Sequence, residues 1–294
     1  MKNALIIGID STIGNALRQE LTTAGWAVFG TTRQKHQMQE NIFYLDLEHV
    51  DAFHIELPLD VVFLCASVTK IATCRANPEY SQLINRDAQI ALAQYFLNKS
   101  IHVIFLSTVA VFDGQKPAYR IDDIPNPTTI YGEHKAAAEQ AIMEMSGKCS
   151  IVRLSKVLTT DYPLIMNWLD ALKQERLIEP FHDLQLCPIS INVVTYCLKE
   201  IARRSLFGII HLSGEQDVTY LDVAIYLADA MNIGRNLIKS KSILEVGMMP
   251  NEVLLHTSLD YSESTKLFGN KACSLSDTLN EMYGTTWYET NVFQ

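Results

Sequence analysis

The 294-residue sequence has no C-x-x-C pair among its six cysteines and no H-x-x-x-H among its eight histidines. Neither a structural zinc site, nor any other metal site, nor a disulfide framework is expected, and unpaired cysteines suit a reducing, cytoplasmic setting. No basic run exceeds Arg203-Arg204, and 33 acidic residues outnumber 24 basic ones, for a formal net charge of −9. Nucleic-acid backbones need concentrated Lys and Arg, so no nucleic-acid partner is expected. A small anion held by backbone amides stays open. No apolar stretch approaches a membrane span, so no membrane partner is expected. The run from Ala4 to Ile9 is too brief for the apolar region of a signal peptide. No internal repeat, low-complexity tract or Pro/Ser linker interrupts the chain. What remains is 48% hydrophobic residues, enough to bury the core of one large domain or two modest ones.

Residues 3–9 (NALIIGI) form a continuous apolar run, as in a strand buried on both faces. Gly8, Ser11 and Gly14 follow at three-residue spacing. Residues 13–24 read as a helix ended by Gly25, and 26–31 as the next strand. Strand, glycine-rich turn, helix and strand make the first unit of a dinucleotide-binding fold. There, helix-start amides face a pyrophosphate and glycines let the backbone approach it. Gly8, Ser11, Thr12, Ile13 and Gly14 are the candidate phosphate-binding residues. Ser11 replaces the middle glycine, adding a Cβ where approach is close and a hydroxyl able to donate to a phosphate. A tight turn with no ligand is the plainer alternative.

The second strand ends in GTTR rather than in an acid. Thr31, Thr32, Arg33 and nearby Lys35 favour a ribose 2′-phosphate, hence NADP, with NAD as the second choice. The alternative is that Arg33 is a plain surface charge. Asp46-Leu47, after a strand at 42–45, form a candidate adenine rim. Cys65-Ala66-Ser67, after a strand at 60–64, would let the backbone pass close to a cofactor. The helix expected over 79–98 contains Asn85, either solvated or structural.

The stretch from Phe105 to Glu139 organises the rest. A strand at 103–106 delivers Ser107 and Thr108 at its carboxyl end, and Tyr131 and Lys135 stand four apart at the start of an Ala-rich helix over 131–146. That spacing stacks phenol and ammonium on one helix face. Taken alone, Tyr-x-x-x-Lys is equally an exposed pair on a solvated helix. With the strand-borne hydroxyls it is a proton-delivery set for a carbonyl-to-alcohol reaction. Further on, a strand is expected at 150–154, helices at 161–176, 193–204, 219–231 and 275–283, a strand at 207–212, and a loop or short strand over 179–190.

GIDSTIG, LSTVAVFDG, PNPTTIYGEHKAAAE, VRLSKVL and FGIIHLSGEQDVTYLDVAIYLA together resemble the extended short-chain dehydrogenase/reductase family over essentially the full length. Within it they are most similar to the dTDP-4-dehydrorhamnose reductase group of nucleotide-sugar reductases. Departures are Ser11, Val109-Ala110 where those reductases have Asp-Tyr, and HDLQLCPIS, a loose echo of their substrate loop. The resemblance implies an α/β fold, a Rossmann-type doubly wound parallel sheet with a small C-terminal substrate or lid domain. The sheet domain would span 1–158 with 191–215 returning to it, and the smaller one 159–190 and 216–294.

The resemblance also implies NAD(P)H-dependent reduction of a keto group on a nucleotide-sugar or similar small molecule. Tyr131 would be the general acid, its pKa lowered by Lys135 and by the oxidised nicotinamide. Lys135 would also hydrogen-bond the nicotinamide ribose. Thr108, or alternatively Ser107, would bind the substrate oxygen. Arg153, His182 and Asp183 are candidate sugar or phosphate contacts, and surface salt bridges or loop hydrogen bonds are equally good uses for them. Two other readings stay open. One is an NAD-dependent nucleotide-sugar epimerase. The other is a non-catalytic, NADP-binding regulatory subunit, since the regulatory subunit of methionine adenosyltransferase is similar to the same reductases. Pairing through the helices at 79–98 and 131–146 would give a homodimer, and core packing is an equal use for Ala136, Ala137 and Ala138.

Overall fold

The computed structural model describes residues 1–249, 253–269 and 274–283. In chain order it runs β1 (Asn3–Ile7), α1 (Thr12–Thr23), β2 (Ala27–Thr32), β3 (Ile42–Tyr44), β4 (Val61–Leu64), α2 (Ile71–Ala76), α3 (Pro78–Gln82) and α4 (Ala88–Asn98). There follow β5 (His102–Thr108), α5 (Ile130–Glu144), β6 (Cys149–Leu154), β7 (Lys156–Leu158) and α6 (Pro163–Lys173). The last third holds β8 (Gln185–Leu186), β9 (Pro188–Ser190), α7 (Ile191–Arg204), β10 (Gly208–Leu212), β11 (Val218–Thr219), α8 (Tyr220–Ala230), α9 (Ser262–Phe268) and α10 (Leu275–Tyr283).

Seven strands lie in the order β10-β6-β5-β4-β1-β2-β3. The pairs β3–β2, β2–β1, β1–β4, β4–β5 and β5–β6 are all parallel. This is the doubly wound Rossmann-type sheet. Its order reverses between β1 and β4, where open α/β sheets receive ligands at the carboxyl ends of the strands. The continuous apolar runs explain it: Leu5, Ile7, Val62, Leu64, Val103 and Phe105 pack with Leu92, Phe96 and Ile142 from α4 and α5. Parallel strands covered by helices on both faces need such runs.

The helix expected over 79–98 is interrupted. A π-turn at Leu83–Asp87 joins α3 to α4, with Ala88 N donating to Leu83 O. The extra residue turns Asn85 inward to 0% exposure, so this asparagine is structural. Gln89 Nε2 donates to Ile84 O at 3.0 Å, satisfying a carbonyl within the π-turn. A 3.6-residue period cannot reveal one inserted residue. The segment 179–190 yields β8, antiparallel to β11, and β9, parallel to β7. Those partners are distant in sequence. The short α2 and the polar α9 carry no apolar period long enough to read.

The chain divides into two compact units. The first comprises 1–113, 121–154 and 192–211, and the second 114–120, 155–191 and the described residues from 212. The segment 114–120 lies in the second unit. It is tied there because Ala118 N donates to Ser258 Oγ at 2.9 Å and Tyr119 N to Ser258 O. The second unit has its own core, in which Trp168 and Leu172 of α6 pack with Leu227 of α8 and Met282 of α10. Thr219 caps α8 through a capping box with Asp222, which sets where that helix begins. Among the described residues, no helix is long and apolar enough to cross a membrane.

Candidate active site

At the reversal point β1 runs into Gly8, which has φ +82°, and a Cβ there would lie 2.7 Å from Ala66 Cβ. Only glycine tolerates both demands. The ends of β1 and β4 thus meet. At Gly14 an added Cβ would lie 2.2 Å from Gly8 O, so the start of α1 packs directly on the turn. Ser11 caps α1, its Oγ accepting from Gly14 N at 3.1 Å. Its own proton remains a donor, and the amides of Thr12 and Ile13 have no intrahelical carbonyl to reach. The N-terminus of α1 is a place where anionic groups are favoured.

Beside this turn is a groove of about 350 Å³. Of the residues expected at a dinucleotide, Gly8, Ser11, Thr31, Arg33, Asp46, Leu47, Ala66 and Ser67 line it. Thr12, Ile13, Gly14, Cys65 and Lys135 do not. The lining also includes Thr32 of the GTTR string, and Asp10, Gln34, Tyr80 and Ile84, which the motif reading missed. Asp10 carried a signal, an acid inside the glycine-rich turn; Tyr80 and Ile84 carried none, since helix apolar positions read as core.

The two threonines are structural in their hydrogen bonding. Thr31 Oγ1 accepts from Gly8 N at 3.1 Å. Thr32 Oγ1 accepts from Gln34 N at 3.0 Å and donates to Asp10 Oδ2 at 3.1 Å. Arg33 is exposed and, among the described residues, makes no ion pair.

The hydroxyl, phenol and amine converge at the carboxyl ends of β4 and β5. The Ser67 and Thr108 hydroxyls stand close enough to the Tyr131 phenol to lower its pKa. α5 can bring it there because Gly132 lets the helix press on the preceding loop: a Cβ would lie 2.0 Å from Ala110 O. Thr129 caps α5 by accepting from Gly132 N at 3.0 Å. Thr108 Oγ1 accepts from Ala110 N at 3.2 Å, which leaves its proton to donate. The Ser107 hydroxyl is buried and has no hydrogen-bond partner among the described residues, a costly state in the absence of a ligand or water.

Ser67 is oriented from behind. The Asn85 amide pairs with both ends of the Val68 peptide, Oδ1 accepting from Val68 N at 2.9 Å and Nδ2 donating to Val68 O at 2.9 Å. That pairing fixes which way the amide faces. Ser67 Oγ then donates to Asn85 Oδ1 at 2.7 Å, so its lone pairs are what it offers to Tyr131.

Lys135 is 2% exposed. Its Nζ donates to Leu106 O at 2.5 Å and sits 3.7 Å from the Phe105 ring centroid. Burial lowers its pKa to about 7, with Glu139 and Cys65 pulling it back up. The expected lowering of the phenol by Lys135 is not found. Burial pushes Tyr131 up to about 12, against the Ser67 and Thr108 hydroxyls. An amine that is itself half neutral at pH 7 stabilises a phenolate weakly.

This pair makes stability pH-dependent. Folding drops the Lys135 pKa from 10.5 to about 7, so between those pH values the unfolded chain binds more protons and stability rises with pH. Above pH 10 the raised Tyr131 pKa works in the opposite sense. Lys135→Met is expected to remove up to about 1.4 kcal/mol per pH unit from the slope across pH 7–10. Urea denaturation at a series of pH values measures this, and an unchanged slope would assign the proton to another group.

Two of the expected substrate contacts, Arg153 and Asp183, are engaged by protein partners. Arg153 is buried in an ion pair with Glu139 at 2.7 Å and is not part of the groove lining. Asp183, in the second unit, accepts from Ile243 N at 2.9 Å and from Ser242 Oγ. These two are corrections to the sequence reading, because their polar atoms are taken up by protein partners. His182, also in the second unit, is exposed.

Comparison with known proteins gives the context. The chain is 26% identical over 285 residues to methionine adenosyltransferase 2 subunit beta of Xenopus tropicalis, covering 90% of this chain and 82% of the relative. It is 25% identical over 254 residues to a probable low-salt glycan biosynthesis reductase of Haloferax volcanii, covering 83% and 85%. The fold matches the crystal structure of dTDP-4-dehydrorhamnose reductase from Bacillus anthracis with TM-score 0.83 at 20% identity, covering 96% of this chain and 99% of that one. The family model described as RmlD substrate binding domain matches residues 1–286, and the chain therefore belongs to that family.

Proposed function

We propose that this chain is a reductase of a nucleotide-linked keto-sugar that uses NADPH, or less readily NADH, with Tyr131 as general acid. The observation that carries the reading is the convergence of Tyr131, Thr108 and Ser67 beside a groove at the sheet's reversal point. The chain's residues fit a dinucleotide. The first-turn amides of α1 and the Ser11 proton suit a pyrophosphate, Leu45, Asp46 and Leu47 line the groove, and Arg33 is a cation in the lining that makes no ion pair among the described residues. The Bacillus anthracis relative in fold was crystallised with NADP. A reduced nicotinamide bound there would supply hydride to the substrate carbonyl carbon.

Tyr131 gives its proton to the carbonyl oxygen as that oxygen gains negative charge. A phenol held near 12 is fully protonated at neutral pH, which suits it to donate rather than to accept and favours reduction over oxidation. Thr108 is the hydroxyl able to stabilise the phenolate left behind, because its proton is uncommitted. Ser67 could serve the phenolate only by turning its proton away from Asn85. The Ser107 hydroxyl, buried without a partner, is a second candidate for the substrate oxygen. Lys135 holds the carboxyl end of β5 through Leu106 O and retains two further N–H donors when protonated.

A second reading is a cofactor-binding regulatory subunit, favoured by the identity to methionine adenosyltransferase 2 subunit beta. One experiment separates them. Thermal shifts are measured with NADPH, NADH and a panel of nucleotide sugars, followed by NADPH consumption with 4-keto-sugar nucleotides. A dinucleotide-induced rise in melting temperature with turnover supports the reductase. The same rise without turnover of any keto-sugar, together with a stoichiometric protein partner, supports the regulatory reading.

A further inference from the structure

The end of β2 is where a dinucleotide-binding fold ordinarily keeps the acid that holds the adenosine ribose. Here that strand end is Thr32, and an acid arrives by another route. Asp10, in the glycine-rich turn, places Oδ2 3.1 Å from the Thr32 hydroxyl and 3.3 Å from Gln34 Nε2. Thr32 is already accepting from Gln34 N, so its single proton goes to Asp10 and anchors the carboxylate at the strand end. Asp10 Oδ1 accepts no hydrogen bond among the described residues. Arg33, the next residue in the chain, lines the same groove and is likewise unpaired among the described residues.

The groove rim therefore carries one carboxylate oxygen and one guanidinium that are not spent on each other. Their demands on a ligand conflict. A ribose 2′-hydroxyl can donate to Asp10 Oδ1. A 2′-phosphate is attracted by Arg33 and repelled by Asp10, and it cannot draw a proton from Thr32, whose proton is taken. Thr31 accepts from Gly8 N and keeps a proton to donate, but among the GTTR residues Arg33 alone is charged.

We infer that Asp10 is a specificity-determining residue, which accepts the 2′-hydroxyl of NADH, opposes the 2′-phosphate of NADPH, and so holds down the preference for NADPH that Arg33 creates. This rests on the groove binding a nicotinamide dinucleotide, as proposed above. The opposing possibility is that Asp10 merely fastens the turn through Thr32 and Gln34.

Asp10→Asn separates the two. The amide oxygen keeps an acceptor for the Thr32 proton and removes only the charge. Dissociation constants of NADPH and NADH are measured by calorimetry on the full chain, for wild type, Asp10→Asn and Arg33→Gln. Asp10→Asn is expected to shift the NADPH-over-NADH affinity ratio upward by about tenfold at low salt, and by less at high salt, where exposed charges are screened. Arg33→Gln shifts the ratio the other way. If wild type binds both dinucleotides and Asp10→Asn leaves the ratio unchanged, or weakens both equally, this inference is overturned and the groove's assignment stands. If wild type binds neither, the assignment of the groove fails, and the inference with it.

Discussion

Tyr131→Phe is expected to bind NADPH within about twofold of wild type while losing reductase turnover by at least ~100-fold, the low end for general acid catalysis. The two effects separate because the phenol does not line the groove, whose walls come from Gly8, Asp10, Arg33, Ser67 and their neighbours. Phe keeps the ring that fills the site and removes only the proton donor. The ring's position is further secured by α5, which begins at the Thr129 cap and lies tight against Ala110. Calorimetric binding and single-turnover oxidation of NADPH measure the two halves. Retained turnover in Tyr131→Phe would remove Tyr131 from the chemistry, and lost cofactor binding would make it a binding residue instead.

Arg153→Met is expected to destabilise the fold by about 3–5 kcal/mol, because removing one partner of a buried ion pair leaves the other charge stranded. Arg153 Nε lies 3.1 and 3.0 Å from the two Glu139 oxygens, with Nη2 at 2.7 Å, and the guanidinium is 4.9 Å from the Phe112 ring centroid. The side chains of the pair are 2% and 4% exposed. Combining Arg153→Met with Glu139→Leu should recover much of the loss, since a buried pair replaced as a unit by apolar residues is often neutral. Denaturant titration of the two variants measures this. An Arg153→Met protein of wild-type stability that lost affinity for nucleotide sugars would restore Arg153 to the substrate.

The comparison between Arg153 and Tyr131 shows what kind of information a sequence carries about a site. Arg153 lies near the end of a strand and Tyr131 near the start of a helix, and both are polar residues in recognisable strings. Tyr131 was legible because its partner lies one helical turn away at Lys135 and its hydroxyls end a buried strand. Arg153 was not, because its partner Glu139 sits on a different element, and only pairing β6 beside β5 and packing α5 over both reveals that the charge is already matched. Asp183 is the same case in the second unit, taken up by Ser242 and the Ile243 amide some sixty residues away. Asn85 falls between. Its helix was legible, while the π-turn that aims it at the Val68 peptide was not.

The rim of the groove gives a further instance. GTTR suggested two hydroxyls and a guanidinium for a phosphate. In the fold one threonine holds the Gly8 amide and the other holds Asp10.

Local pattern by itself determined the parallel sheet, the glycine turn at its first strand and the neighbourhood of Ser107, Thr108, Tyr131 and Lys135, because apolar runs, glycine spacing and a one-turn separation are properties of contiguous residues. Tertiary structure alone decided which charges were already neutralised, that Tyr131 and Lys135 are both desolvated, and that an acid from the first turn stands at the end of the second strand. Each of those depends on desolvation or on a partner supplied by a distant segment, and neither can be computed from neighbours along the chain.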